Sequence, residues 1–300
     1  YALVRGFMMD IFDTGMIFLL VYLILTEQLA AASALVVYNY MSRVTPIINY
    51  VSMLLENLKD FNLSASLAAK GKKVLMIDGD MQLNLTLSFF PEDEALGFVQ
   101  SGDNLYTAIK KQQELTPYIR HTAYEGLDLI PSSILMSGIE VDLFTMWQRE
   151  FILKQGLAKI RESGEYDYIL IDAPPTLGCW VMNIMCASDY LIIPVEASPW
   201  GLFGLANMFE FLNTTSEIAP DLQIMGIAIT KVDERKNYFR QTLETLQELE
   251  DMKVFKSHIH VDSSIEWSQD NSKPVLVYKK TSRSAKEYME LAKEVETLCQ

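Results

Sequence analysis

From Phe61 onward, short and almost wholly apolar runs alternate with longer stretches whose apolar residues recur at helical spacing. That alternation limits the fold more than any single motif does. The runs at 73–77, 127–130, 168–171, 190–195, 223–229 and 254–259 offer water little polar surface, so they predict strands covered on both faces. Helices are expected over 62–70, where Gly71 supplies the stop, and over 142–161, 202–213, 238–249 and 284–298. Parallel strands need such crossovers. The expected fold is α/β, a doubly wound, mostly parallel sheet flanked by helices, occupying residues 61–300. With 50% of its residues apolar, the chain has ample material for that core.

Residues 1–60 have a different texture and are expected to form a separate apolar helical segment. The stretch 15–25 is almost wholly apolar but shorter than the ~20 residues that cross a bilayer. A second stretch, 29–58, carries Asn39, Arg43, Pro46 and Asn49, which suit the wall of a polar cavity better than bare lipid. Through "LTEQL", "YMSRVTPI" and "LLENLKDFNLSAS" this region resembles the last two membrane-spanning helices of an ABC exporter. Membrane association through residues 1–60 is one expectation, and a helical hairpin packed on a soluble domain is the other. The opening at Tyr1, with no basic region followed by a small-residue cleavage site, is expected of a fragment rather than of a secreted precursor.

Charge and cysteine usage narrow the function classes. The chain has 25 basic against 39 acidic residues, a net charge of -14, which opposes a general basic surface for nucleic acid or anionic lipid. Cys179, Cys186 and Cys299 are far apart and odd in number, and only 3 histidines accompany them. Neither a disulfide framework nor a zinc cluster is expected, and a reducing, cytoplasmic setting is.

The chemistry-bearing residues lie at strand ends. "VLMIDGDMQLNLT" places Asp78 and Asp80 at the carboxyl end of a buried strand, where open α/β sheets bind ligands. "YDYILIDAPPTLG" ends a second buried strand in the same way, with Asp172 at the tip before Ala173, Pro174 and Pro175. One such turn is ordinary strand punctuation. Two carboxylate-bearing tips can converge on a magnesium-bound phosphate.

Together with "NLSASLAAKGKKV", "SDYLIIPVEASPWGLFGL", "IMGIAITKVDERKN" and "SKPVLVYKKTSRSAKEYMELAKEV", these blocks resemble the ParA, Soj and MinD family of deviant Walker ATPases, in that family's order and spacing. The resemblance runs from Phe61 to about Val295 and implies a P-loop NTPase-like fold. It also implies an ATPase of plasmid or chromosome partitioning: ATP and Mg2+ as cofactors, ATP-dependent assembly into a homodimer, nonspecific DNA binding, and a ParB-like protein that stimulates hydrolysis. By resemblance Asp80 positions or activates the attacking water, with Asp78 its neighbour in the signature. Asp172 is the Walker B carboxylate on the magnesium shell, with Pro174 in the loop beyond it. Gln82 and Asn84 match polar positions of the family's D-P-Q-G-N run, and Thr230 and Lys231 fall where the family lines the adenine pocket. Met81 and Leu83 replace the proline and glycine of that run, which predicts a turn of altered shape.

One part of the pattern is missing. The family places a strand and a K-G-G-x-G-K-T-T loop before this region, where backbone amides and lysines hold the phosphates. Here "SMLLENLKD" precedes Phe61, without a glycine, and Lys70-Gly71-Lys72-Lys73 sits at the wrong end of the helix and reads as its cap. Impaired nucleotide binding is expected, since micromolar affinity, ~8 kcal/mol, loses its main source. A join at "FNLSAS", common to both resemblances, suggests a chimera or fusion. For DNA the candidates are Arg235, Lys236, Arg240, Lys279, Lys280, Arg283 and Lys286, but "HVDSSIEWSQDNSKP" is acidic where Soj is basic. Two other readings stay open: a non-catalytic interaction or dimerisation module, and an exporter membrane fragment fused to a ParA body.

Overall fold

The computed structural model describes residues 60–248 and 252–299. The expected hairpin within 1–60 and the end of the helix expected over 238–249 lie outside the described residues. Helix α1 (Asp60–Ala68) leads into β1 (Val74–Asp78), and helices α2 (Asn84–Leu87), α3 (Glu92–Ser101) and α4 (Leu105–Lys110) carry the chain to β2 (Arg120–His121) and β3 (Leu127–Ile130). Helices α5 (Ile139–Phe144) and α6 (Ile152–Ser163) precede β4 (Tyr168–Asp172). Helix α7 (Cys179–Ala187) then crosses to β5 (Tyr190–Glu196), and α8 (Pro199–Thr215) to β6 (Gln223–Thr230). Helices α9 (Asn237–Gln247), α10 (Ser263–Asp270), α11 (Val275–Tyr278) and α12 (Arg283–Leu298) follow.

The strands are mostly parallel and flanked by helices, as expected. One sheet has the order β2-β3-β1-β4, with only β2 antiparallel, and β5 pairs with β6 in parallel. Strand β1 shows why the apolar runs were informative. Its side chains alternate between two cores, Val74 and Met76 packing with Phe61, Leu67 and Leu291, and Leu75 and Ile77 packing with Leu153, Leu157 and Trp180. Both faces are covered, so neither can be polar.

The ladders fall into two sheets, with no ladder between β4 and β5 among the described residues. Two expectations differ from the structure. The helix expected over 142–161 is interrupted between α5 and α6, where Gln148 has φ 50 and the Asn183 side chain bonds the Arg149 carbonyl while accepting from Leu153 N–H at 3.2 Å. The segment expected to be a strand over 254–259 forms no ladder with β6 but isolated bridges, Ile227 with Val254 and, just beyond β6, Val232 with His260, and Ile259 N–H donates to the Ile229 carbonyl at 3.0 Å. Between them the Glu294 carboxylate takes the backbone N–H groups of Lys256 at 2.9 Å and Ser257 at 2.7 Å, diverting donors that a ladder would need.

Candidate functional site

The site begins where β1 and β4 end side by side. Asp78 and Asp172 are register partners, and Gly79 N–H donates to the Asp172 carbonyl at 2.9 Å. A Cβ on Gly79 would stand 2.6 Å from that oxygen, so the turn between the two aspartates requires glycine. From the other side the buried Trp180 indole donates Nε1–H to the Gly79 carbonyl at 2.9 Å. The Asp80 backbone is thereby held beside the tip of β4.

Asp78 itself is buried and shapes the turn. Its Oδ2 accepts from Thr86 N–H at 2.8 Å and Thr86 Oγ1–H at 2.6 Å, and its Oδ1 accepts from Asp80 N–H at 3.2 Å. Burial pushes its pKa up to about 7, against the opposing pull of the Thr86 bonds. Ser132 ties the same turn to the end of β3, donating Oγ–H to the Asp80 carbonyl at 2.6 Å and N–H to Thr86 Oγ1 at 3.0 Å. The Asp80 carboxylate accepts from Gln82 N–H at 3.1 Å. Gln82 and Asn84 are exposed, Asn84 opening the short α2. Leu83 adopts φ 55, ψ 21, the left-handed conformation for which glycine is the usual residue. The turn thus bends as a glycine would allow, with leucine bearing the cost.

Beyond Asp172 the chain passes the buried Pro174 and enters α7. Glu140, from α5, fixes that entry: its carboxylate accepts from Cys179 N–H at 2.9 Å and Trp180 N–H at 3.1 Å, the first donors of α7. Thr230 and Lys231 stand at the tip of β6, in the other sheet. Thr230 is register partner of Glu196; its buried Oγ1 has no hydrogen-bond partner, and Lys231 Nζ lies 3.6 Å from Glu196 Oε2. The structure therefore gathers Asp78, Asp80, Gln82, Asn84, Asp172 and Pro174 around two adjoining tips, with Thr230 and Lys231 at the tip of β6.

The carboxylates of Asp80 and Asp172 are hard oxygen donors that fit a magnesium ion completing its shell with water and phosphate. Among the described residues, no group of three or more His, Cys, Asp or Glu side chains could hold a metal alone. The phosphates have no such match, because the sequence lacks a glycine-rich loop ending in lysine and a hydroxyl.

Thr86, Ser132 and Glu140 escaped sequence reasoning. Each acts through backbone groups distant in sequence, and only Thr86, inside the quoted signature, carried any sequence signal. Among the proposed DNA contacts, Arg235 is ion-paired with Asp233 at 2.8 Å, and Arg283 with Glu287 at 2.7 Å and Glu234 at 3.4 Å. His260 lies between Glu287 and Glu234, at 2.7 and 2.9 Å. No helix among the described residues is long and apolar enough to cross a membrane.

A family model described as an AAA domain matches residues 58–224. The sporulation initiation inhibitor protein Soj of Bacillus subtilis is 32% identical over 258 residues, 85% of this chain and 98% of that protein. The chromosome partitioning protein ParA of Caulobacter vibrioides is 30% identical over 235 residues, 78% of this chain and 86% of that protein. A plasmid partition protein from Borrelia burgdorferi, solved bound to AMPPNP, superposes with a TM-score of 0.64 at 26% identity, over 78% of this chain and 90% of that one. The motif order, the paired aspartate tips and these likenesses agree: the chain belongs to the ParA/Soj family of partition ATPases.

Proposed function

We propose that residues 61–300 are a partition ATPase body, acting in the cytoplasm, that keeps the magnesium-handling carboxylates of its family and is impaired in binding nucleotide. The observation that carries this reading is the register pairing of Asp78 with Asp172, which sets Asp80 and Asp172 on adjoining tips. Asp172 would hold the magnesium shell, and Asp80 would orient the water that attacks the terminal phosphate. Gln82 and Asn84 would border the phosphates, with Thr230 and Lys231 nearer the adenine. The ion supplies charge neutralisation on the phosphates when bound. ATP-driven homodimerisation, DNA gripping and stimulation by a ParB-like partner belong to the same reading. The ion pairs of Arg235 and Arg283 favour weak DNA binding, with a shallow salt dependence.

A second reading, a non-catalytic interaction module, is favoured by a specific feature. Val141, Phe144 and Trp147 are 77%, 75% and 84% exposed on and just after α5. Apolar surface so exposed is characteristic of a protein-binding face. Titrating the full chain with a fluorescent ATP analogue in the presence of magnesium tests the first reading. A dissociation constant weaker than roughly 100 µM is expected; low-micromolar binding, about 8 kcal/mol, would refute impairment.

A further inference from the structure

The turn that leaves β6 is tied to the last helix through one buried histidine. His260 is 8% exposed, and both of its ring nitrogens face carboxylates. Nδ1 lies 2.7 Å from Glu287 Oε1, on α12, and Nε2 lies 2.9 Å from Glu234 Oε1, in the turn between β6 and α9. A neutral imidazole has one N–H and one lone pair. Either tautomer therefore aims a lone pair at a carboxylate oxygen, whereas the imidazolium donates to both.

The two carboxylates are not held equally. The Glu287 side chain is 16% exposed and also accepts from the His260 backbone N–H at 2.9 Å and from Arg283 Nε at 2.7 Å. The Glu234 side chain is 65% exposed, and its other cation is Arg283, at 3.4 Å. When the ring carries no charge, its single N–H stays with Glu287, the better anchored acceptor. Glu234 then returns to water, which solvates an exposed carboxylate at little cost.

The neighbouring charges are engaged elsewhere. In the turn, Asp233 pairs with Arg235 at 2.8 Å. On the histidine's own segment, Asp262 accepts from Ser264 N–H at 2.8 Å and Ser284 N–H at 3.1 Å. On α12, Glu294 accepts from Lys256 and Ser257. Burial, and then the charge of His260, push the His258 pKa down, so that ring stays neutral while its neighbour is charged. The Glu234 carboxyl is held below the usual carboxylate range, first by its bond to His260. Histidine is the side chain whose charge changes between pH 5 and 8.

Two backbone bonds dock the turn beside this ring. Val232 N–H donates to the Ile259 carbonyl at 3.0 Å, and Val261 N–H donates to the Val232 carbonyl at 3.1 Å. The turn leads from Thr230 and Lys231, at the tip of β6, into α9. We propose that His260 is a pH-sensitive latch: when charged it clamps Glu234 to Glu287 and fixes the turn 231–236 against α12, and when neutral it lets the turn loosen. The latch sets how firmly the β6 tip and the start of α9 are held. It works without nucleotide, so its failure and that of the ATPase reading are separable.

Hydrogen exchange of the full chain at pH 6 and pH 8, corrected for intrinsic rates, tests the latch. The readout is protection of the Val261 amide relative to the Leu75 and Met76 amides of β1, which report global opening. In the parent this ratio should fall at least ~threefold from pH 6 to pH 8, the scale of one lost exposed ion pair. Glu234→Ala should show the lower ratio at both pH values. Glu234→Gln can accept from the charged ring and donate its amide to the neutral one, so it should keep the higher ratio at pH 8. An unchanged ratio in the parent would overturn the proposal. So would Glu234→Ala matching the parent at pH 6, or a fall of equal size in the parent and both variants, which would assign the effect to another group.

Discussion

Gly79 and Asp172 meet backbone to backbone, N–H to C=O at 2.9 Å, and this contact makes two separate strand ends into one site. Replacing Gly79 with alanine puts a methyl 2.6 Å from the Asp172 carbonyl oxygen, a backbone atom that cannot swing aside. Chemical denaturation of Gly79→Ala should show a loss of about 1–3 kcal/mol, the usual range for overpacking. An unchanged midpoint would mean that the two tips are not held at this distance.

The sign of a second effect is opposite. Leu83 sits at φ 55, where a side chain is strained and glycine is not. Leu83→Gly should raise stability by about 0.5–1 kcal/mol, the left-handed strain relieved less the extra entropy of unfolded glycine. Loss of stability in a urea melt would show that Leu83 contributes packing worth more than its strain.

Asp78 gives a pH dependence. Its pKa is raised by burial to about 7 in the folded chain, above the ordinary carboxylate value that it regains on unfolding. Between those values the folded state holds a proton that the unfolded state lacks, so this group's contribution to stability falls as pH rises from about 4 to about 7 and then levels off. Asp78→Asn, which carries no charge, should flatten that part of the profile. A wild-type profile that rises across the window and is matched by the variant would contradict this assignment.

Glu140 is predicted to hold the loop after Asp172. Glu140→Ala removes the acceptor for Cys179 and Trp180 N–H and should cost about 1–2 kcal/mol, within the range for a lost helix cap. Glu140→Gln, retaining one carbonyl acceptor, should recover part of it in thermal melts. Equal melting of both variants with the parent would mean that α7 starts correctly without the cap.

What the sequence made legible follows from how local the causes are. Strand β1 was readable because helices cover both of its faces, leaving Val74 to Ile77 uniformly apolar. Asp172 was readable because a lone carboxylate ends an apolar strand. The strand expected over 254–259 failed because Glu294, distant in sequence, takes its donors. The break between α5 and α6 depends likewise on Asn183, 30 residues from Leu153. Leu83 carries a left-handed φ of 55, a conformation for which glycine is the usual residue, so a leucine there gives no local sequence signal of the bend that the bonds of Asp78 and Ser132 surround. Sequence periodicity reports burial, while these exceptions come from single side chains reaching across the fold.

The decisive measurement is the magnesium-dependent affinity of an ATP analogue for two forms of the full chain, one unaltered and one with a glycine-rich, lysine-ending loop inserted before Asp60. Insertion should strengthen binding at least ~100-fold, about 2.7 kcal/mol, and Asp172→Ala in the inserted form should abolish most of the magnesium dependence. Tight, magnesium-dependent binding by the unaltered chain, or indifference of the inserted form to Asp172→Ala, would contradict a site whose carboxylates persist without their phosphate cradle.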